Sequence, residues 1–200
     1  RLYRAKEASE PQPLLVYFRG GGHVIGSPDT HDAVARSLCV GAGCAVASVD
    51  YRMGPEHKFP AAYDDCVAAT QWLAGNANAL GLDANRMAVG GDSAGGNLAA
   101  VVALAARDAG GPPLCFQLLI YPVTDYRCAS GSYDTYAKGY GVLEADTMLW
   151  FQGHYLSRVE DQTDWRASPL LAQNKANLPP ALVITAQCDV LHDEGVAYAD

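Results

Sequence analysis

The sequence lacks any unbroken apolar stretch long enough to cross a bilayer, which takes about 20 residues. Its N-terminus also lacks the basic and then apolar pattern of a secretory leader. Positive charge is scarce, because 14 Lys and Arg stand against 22 Asp and Glu and the formal net charge is −8. Dispersed carboxylates disfavour binding to nucleic acid or to an anionic membrane. We therefore expect a cytoplasmic protein with no membrane insertion and no nucleic-acid partner that binds a small neutral molecule, and oligomerisation is compatible with this composition.

Closely spaced cysteine pairs are also missing from the sequence. None of the six cysteines has the spacing of a metal knuckle or of a redox C-x-x-C pair. Most of them lie in apolar segments, which predicts buried thiols in a reducing compartment. They are Cys39, Cys44, Cys66, Cys115, Cys128 and Cys188. We expect neither a metal ion nor an organic cofactor.

What the chain does have is a regular alternation of short apolar runs and helical patterns. Its 200 residues, half of them hydrophobic, are enough for one core, so we predict a single domain over 1–200. Predicted strands cover 14–18, 44–49, 86–90, 115–121 and 181–186, and predicted helices cover 30–41, a segment from Pro60 onward and 93–107. This order predicts an α/β fold with a mostly parallel sheet, helices on both faces and ligands beyond the carboxyl ends of the strands.

Three consecutive glycines follow the first predicted strand, in the segment Arg19-Gly20-Gly21-Gly22-His23. Without side chains, this backbone can approach a ligand closely and present N–H groups to an anion. A flexible linker is the alternative interpretation. It is disfavoured because the glycines lie between a buried strand and the helix start signal at 27–29.

A serine stands at the junction of a short apolar run and a helix of small residues. The pattern Gly91-x-Ser93-x-Gly95 fits a nucleophile elbow, in which a sharp strand-to-helix turn exposes the serine hydroxyl. The N–H of Ala94, at the start of the helix, could stabilise an oxyanion. An ordinary turn would use the same residue types, so the five letters alone leave both interpretations open.

Two further segments stand out beyond these motifs. Residues 123–169 separate two strands by more than a crossover helix, and we interpret them as a lid-like insertion over the strand ends. Within it, Met148, Phe151 and Tyr155 share one helical face, which is more typical of packing than of ligand contact. After the last predicted strand, Asp189 is the first of three carboxylates and is our candidate for a catalytic acid.

These motifs together resemble the hormone-sensitive lipase group of α/β-hydrolase carboxylesterases, over essentially the whole chain. The resemblance implies Ser93 as nucleophile, Asp189 as the acid of the triad, and the backbone amides of Gly21, Gly22 and Ala94 as the oxyanion hole. In chain order the matching segments are 20–22, 29–32, 50–52, 55–57, 59–62, 91–97, 166–170 and 188–195.

The sequence departs from the family pattern at three places. Arg19 replaces the histidine that begins the oxyanion motif, with His23 where the family prefers an aromatic residue, and Val190 replaces a proline. The family's catalytic histidine follows one more helix and strand after the acid, and no such residue precedes Asp200. We therefore expect a fragment, truncated at the C-terminus and also at the N-terminus, that by itself is nearly inactive and prone to associate.

The resemblance implies a serine hydrolase that cleaves short-chain carboxylic esters through an acyl-enzyme, with its histidine beyond this fragment. The alternative is a non-catalytic receptor that binds a small molecule on the same fold, since such receptors keep the pocket and lose the histidine. His192 and His23 are the first residues to consider as substitutes for the missing base, although we expect none of the five histidines to serve.

Overall fold

A computed structural model describes residues 1–6 and 11–200 and contains a six-stranded sheet. The strand order is β1-β3-β2-β4-β5-β6, and every pairing is parallel except that of β1 with β3. The strands are β1 Leu2–Tyr3, β2 Gln12–Phe18, β3 Ala45–Val49, β4 Leu82–Asp92, β5 Leu114–Ile120 and β6 Ala181–Ile184. The helices are α1 Asp32–Ala42, α2 Ala61–Gly75, α3 Ala94–Asp108, α4 Gly131–Thr135, α5 Ala145–Tyr155 and α6 His192–Ala199.

The predicted α/β fold with a mostly parallel sheet is confirmed, and the differences concern short or polar segments. β1 was not predicted, because two residues are too few to show the alternation of apolar and polar residues that indicates a strand. Its strand conformation depends on antiparallel pairing with β3. β4 begins at Leu82 instead of Arg86 because Leu82 pairs with Gln12, and the register is irregular before Leu14. The polar residues after Leu82 therefore join the strand despite their composition.

The alternation along β2 explains how the layers form. Leu14, Val16 and Phe18 belong to the main core cluster, which also contains α2 and α3. Leu15 and Tyr17 point to the opposite face and pack with α1. Both sets are buried, as is usual for a central strand of a parallel sheet.

Helix α1 covers only part of its face of the sheet. On β5 and β6, side chains on the same face as Leu15 include Phe116, Leu182 and Ile184, and each of them is exposed. The opposite face is covered more fully, because α3 consists mainly of small buried residues that lie close to the sheet.

The prediction of buried cysteines is wrong for two of the six. Cys39, Cys44 and Cys66 are buried, and Cys128 is partly buried. Cys115 lies near the start of β5 and Cys188 in the loop after β6, and both are exposed because these segments lie at the margin of the core. None of the described helices combines the length and the apolarity needed to cross a membrane.

Candidate active site

Ser93 occupies a strained turn between β4 and α3. Its backbone has φ 55° and ψ −119°, a region that residues with a side chain rarely adopt. Glycine is required on both sides, because a Cβ at Gly91 or Gly95 would overlap the carbonyl oxygen of Phe18 at the end of β2. The Ser93 N–H donates to the carbonyl of Ile120 at 2.8 Å, which fixes the turn to β5. These are the features of a nucleophile elbow.

The triple-glycine loop lies beside this turn, at the end of β2. Gly21 and Gly22 have φ of 115° and 60°, which favours glycine at both positions. The Gly21 carbonyl accepts from Val24 and Ile25, so the loop turns back on itself. Among the described residues, none accepts a hydrogen bond from the N–H groups of Gly21 and Gly22. The aromatic ring of Phe151, from α5, packs so closely on Gly22 that a Cβ there would overlap it.

Arg19, which replaces the family histidine, points beneath the loop into the protein. Its side chain is fully buried, and Nη1 donates to the carbonyl of Val49 at 3.2 Å. Nη2 lies 3.0 Å from the sulfur of Met53 and 3.4 Å from a carboxylate oxygen of Asp50. The guanidinium carbon is 4.5 Å from the ring centre of Tyr51, a cation–π contact. A buried charge with these partners anchors the loop from below.

Two hydrogen bonds join the glycine loop to the segment 50–57, which follows β3, and both donors lie in that segment. The Tyr51 hydroxyl donates to the Arg19 carbonyl at 2.7 Å, and the Gly54 N–H donates to the His23 carbonyl at 2.8 Å. Both ends of the glycine loop are therefore held by the segment that follows β3. The segment 50–57, which contains two of the stretches that match the family pattern, has this structural role.

His23 is fully buried in a cage of aromatic rings. Its ring stacks on that of Tyr155 at 3.9 Å, with Tyr51 and Tyr126 at 6.3 and 6.1 Å between ring centres. Within the described part of the chain, neither ring nitrogen has a hydrogen-bond partner. Burial lowers the pKa of His23 to about 3, so the imidazole is neutral near pH 7. In this position His23 behaves as an aromatic packing residue.

Asp189 and Tyr121 follow two neighbouring parallel strands, β6 and β5. Asp189 is partly buried in the turn before α6, and its Oδ1 accepts from the N–H of Leu191 at 3.0 Å. Burial raises the pKa of Tyr121, and the nearby carboxylates of Asp92 and Asp189 raise it further. Tyr121 has φ 36°, another strained conformation. The sequence predicted Tyr121 only as the last residue of the strand 115–121, whereas the structure ends β5 at Ile120.

Glu194 is a second residue that the sequence did not single out. It is buried, and its Oε1 accepts from the N–H groups of Thr124 at 2.7 Å and Asp125 at 3.3 Å. Burial raises the pKa of Glu194 to about 8, against the lowering effect of these N–H donors. Glu194 thus joins α6 to the segment that follows β5.

None of the five histidines hydrogen-bonds to Ser93 or to Asp189. His192 lies 3.0 Å from Asp193, its neighbour, and His154 contacts the carbonyl of Trp150. His31 pairs with Asp92 and His23 is enclosed as described. Across the described part of the chain, no group of three or more His, Cys, Asp or Glu is arranged to hold a metal ion.

The family model for the α/β-hydrolase fold matches residues 15–200. The chain belongs to this family. The predicted resemblance to fold-3 carboxylesterases of the hormone-sensitive lipase type is confirmed by this match and by the relatives that follow.

Three relatives of this α/β-hydrolase illustrate the similarity. An ethyl acetate hydrolase of Pseudomonas putida is 46% identical over 205 residues, and carboxylesterase NlhH of Mycobacterium tuberculosis is 44% identical over 203 residues. Each comparison covers 100% of this chain and 63% of the relative. The structure of a hyperthermophilic esterase from Pyrobaculum calidifontis is 48% identical with a TM-score of 0.93, covering 99% of this chain and 63% of that one. The α/β-hydrolase chain described here thus spans about 63% of the length of these relatives.

Proposed function

We propose that the protein is a serine esterase that hydrolyses carboxylic esters through an acyl-enzyme. The observation that carries the proposal is the strained elbow at Ser93, placed beside a glycine loop in which the N–H groups of Gly21 and Gly22 have no acceptor among the described residues. The names of the relatives, an ethyl acetate hydrolase and a carboxylesterase among them, support ester hydrolysis by this fold.

In the proposed mechanism the Ser93 hydroxyl attacks the ester carbonyl and loses its proton to a histidine base. The carbonyl oxygen becomes an oxyanion, stabilised by the N–H groups of Gly21, Gly22 and Ala94. Collapse of the tetrahedral intermediate breaks the ester bond, and the histidine returns the proton to the departing alcohol. Water then attacks the acyl-enzyme in the same way and releases the acid and the free serine.

Asp189 is proposed to orient that histidine and to stabilise its charged form. Its position supports this role, because Asp189 lies in the segment after the carboxyl end of β6, and Ser93 follows the carboxyl end of β4 in the same parallel sheet. We assign the base to a histidine outside these 200 residues, since none of the five present hydrogen-bonds to Ser93 or Asp189. The mechanism requires no metal ion and no organic cofactor.

The proposed substrate is an ester with a short acyl chain. Segment 123–169 is proposed to act as a cover over the strand ends, and the Phe151 ring on Gly22 supports this, because it narrows the space above the oxyanion loop. Comparing p-nitrophenyl acetate, butyrate, octanoate and palmitate tests the assignment. We expect the highest kcat/KM at acetate or butyrate, whereas a steady rise to palmitate would contradict it.

The decisive experiment compares full-length protein with its Ser93→Ala variant on p-nitrophenyl butyrate. Removing the nucleophile is expected to lower kcat by about 10⁶-fold. Ser157→Ala, which removes an exposed hydroxyl, serves as the matched control and should keep the wild-type rate. Equal rates for wild type and Ser93→Ala would refute the proposal and would favour a receptor on the same fold.

A further inference from the structure

Asp92 lies between the two parts of the candidate site. It directly precedes Ser93 at the end of β4, and its side chain is largely shielded, with 14% exposed. Its carboxylate reaches the neighbouring strand β2 and the start of the glycine loop. The sequence pattern around Ser93 includes this residue, but neither the elbow geometry nor the proposed mechanism uses its side chain.

One carboxylate oxygen of Asp92 accepts two hydrogen bonds from the β2 side. Oδ1 accepts from the N–H of Gly20 at 3.0 Å and from the hydroxyl of Tyr17 at 2.5 Å. Gly20 immediately precedes Gly21 and Gly22, so this bond fixes the orientation of the peptide that leads into the proposed oxyanion donors. A Cβ at Gly20 would overlap the Asp92 carboxylate, so the close approach depends on glycine.

The other carboxylate oxygen has a partner of its own. Oδ2 lies 3.3 Å from Nε2 of His31, and Nδ1 of that ring lies 2.9 Å from the hydroxyl of Thr30. This arrangement places a ring nitrogen at the oxygen that Gly20 and Tyr17 leave unused. All the contacts orient one carboxylate with little freedom to rotate.

We propose that Asp92 is a positioning residue that holds the oxyanion loop at a set distance from the nucleophile, with His31 and Tyr17 orienting its carboxylate. The inference rests on the proposed esterase function. A carboxylate at this position connects the residue before the nucleophile with the residue before the oxyanion donors. Oxyanion donors act only at hydrogen-bond distance. A small shift of the loop therefore reduces the stabilisation of the transition state more than it reduces the binding of the substrate.

The test measures kcat and KM separately for full-length wild type, Asp92→Ala and Asp92→Asn with p-nitrophenyl butyrate. Asp92→Ala is expected to lower kcat by roughly 10- to 100-fold while KM changes less than about threefold. Asp92→Asn keeps an oxygen that can accept from Gly20, so it should restore most of the lost kcat. The matched control is Asp83→Ala at the opposite end of β4, because Asp83 also accepts a backbone N–H and pairs with an arginine.

Either of two results would overturn the inference. One is a kcat of Asp92→Ala within about twofold of the wild type, and the other is a kcat of Asp92→Asn no higher than that of Asp92→Ala. If Asp92→Ala does not fold, Tyr17→Phe and His31→Leu replace it, since each removes one orienting contact and keeps the carboxylate. Both are then expected to lower kcat with KM unchanged, and wild-type kcat in both would also overturn it. A failure of the esterase function would be distinct, because Ser93→Ala and wild type would then react equally.

Discussion

The buried carboxyl of Glu194 makes the stability of the protein depend on pH in a specific direction. Its pKa is raised by burial from an ordinary value of 4.5 to about 8. In the unfolded chain the group ionises above pH 4.5, whereas in the folded protein it keeps its proton until about pH 8. Between these values the folded state binds more protons, so stability decreases as pH rises.

The magnitude follows from the two pKa values. Each pH unit between 4.5 and 8 costs about 1.4 kcal/mol of the free energy of unfolding, and the full effect reaches about 5 kcal/mol. Below pH 4.5 the carboxyl is protonated in both states and contributes no pH dependence. A glutamine at this position stays neutral at every pH and can still accept from Thr124 and Asp125 through its amide oxygen.

The assay is urea unfolding of wild type and Glu194→Gln at pH 5, 6, 7 and 8. The free energy of unfolding of Glu194→Gln minus that of the wild type should increase by about 4 kcal/mol between pH 5 and pH 8. Using the difference cancels the titration of all other groups. Glu160→Gln, in which an exposed carboxylate is neutralised, should give a curve parallel to the wild type. A pH-independent difference, or one of opposite sign, would refute the reasoning.

Two other substitutions test neighbouring parts of the structure. His23→Phe should remove a loss of stability on acidification. Below pH 6.5 the histidine binds a proton in the unfolded chain, whereas the buried ring, with a pKa of about 3, does not. Urea unfolding midpoints at pH 4 and 7 check this, and a variant with the same pH dependence as the wild type would contradict it. Gly95→Ala should destabilise by roughly 3 kcal/mol or more, since its Cβ would overlap the Phe18 carbonyl. Gly153→Ala is the matched control, because a Cβ at Gly153 meets no described atom within 4 Å. Equal melting temperatures for Gly95→Ala and Gly153→Ala would refute the steric argument.

The sequence by itself determined the alternation of strands and helices, the turn at Ser93 and the loop at Gly21 and Gly22. These features are local, because an apolar run predicts a buried element, and a glycine indicates a positive φ or a close approach of the backbone. The structure confirms the fold on this basis. The assignment of Ser93 and Asp189 as catalytic groups stays a prediction, as do the proposed oxyanion donors.

Only the tertiary structure decided which distant groups meet. Four features of the site depend on segments that are far apart in the chain. They are the direction of the Arg19 side chain, the enclosure of His23, the burial of Glu194 and the contact of Asp92 with Gly20. The same holds for the exposure of Cys115 and Cys188, which apolar neighbours in sequence did not reveal. Burial and hydrogen bonding depend on how distant segments pack against each other. Residue type and spacing therefore predict them only where the local backbone also imposes a steric requirement, as it does at the glycines.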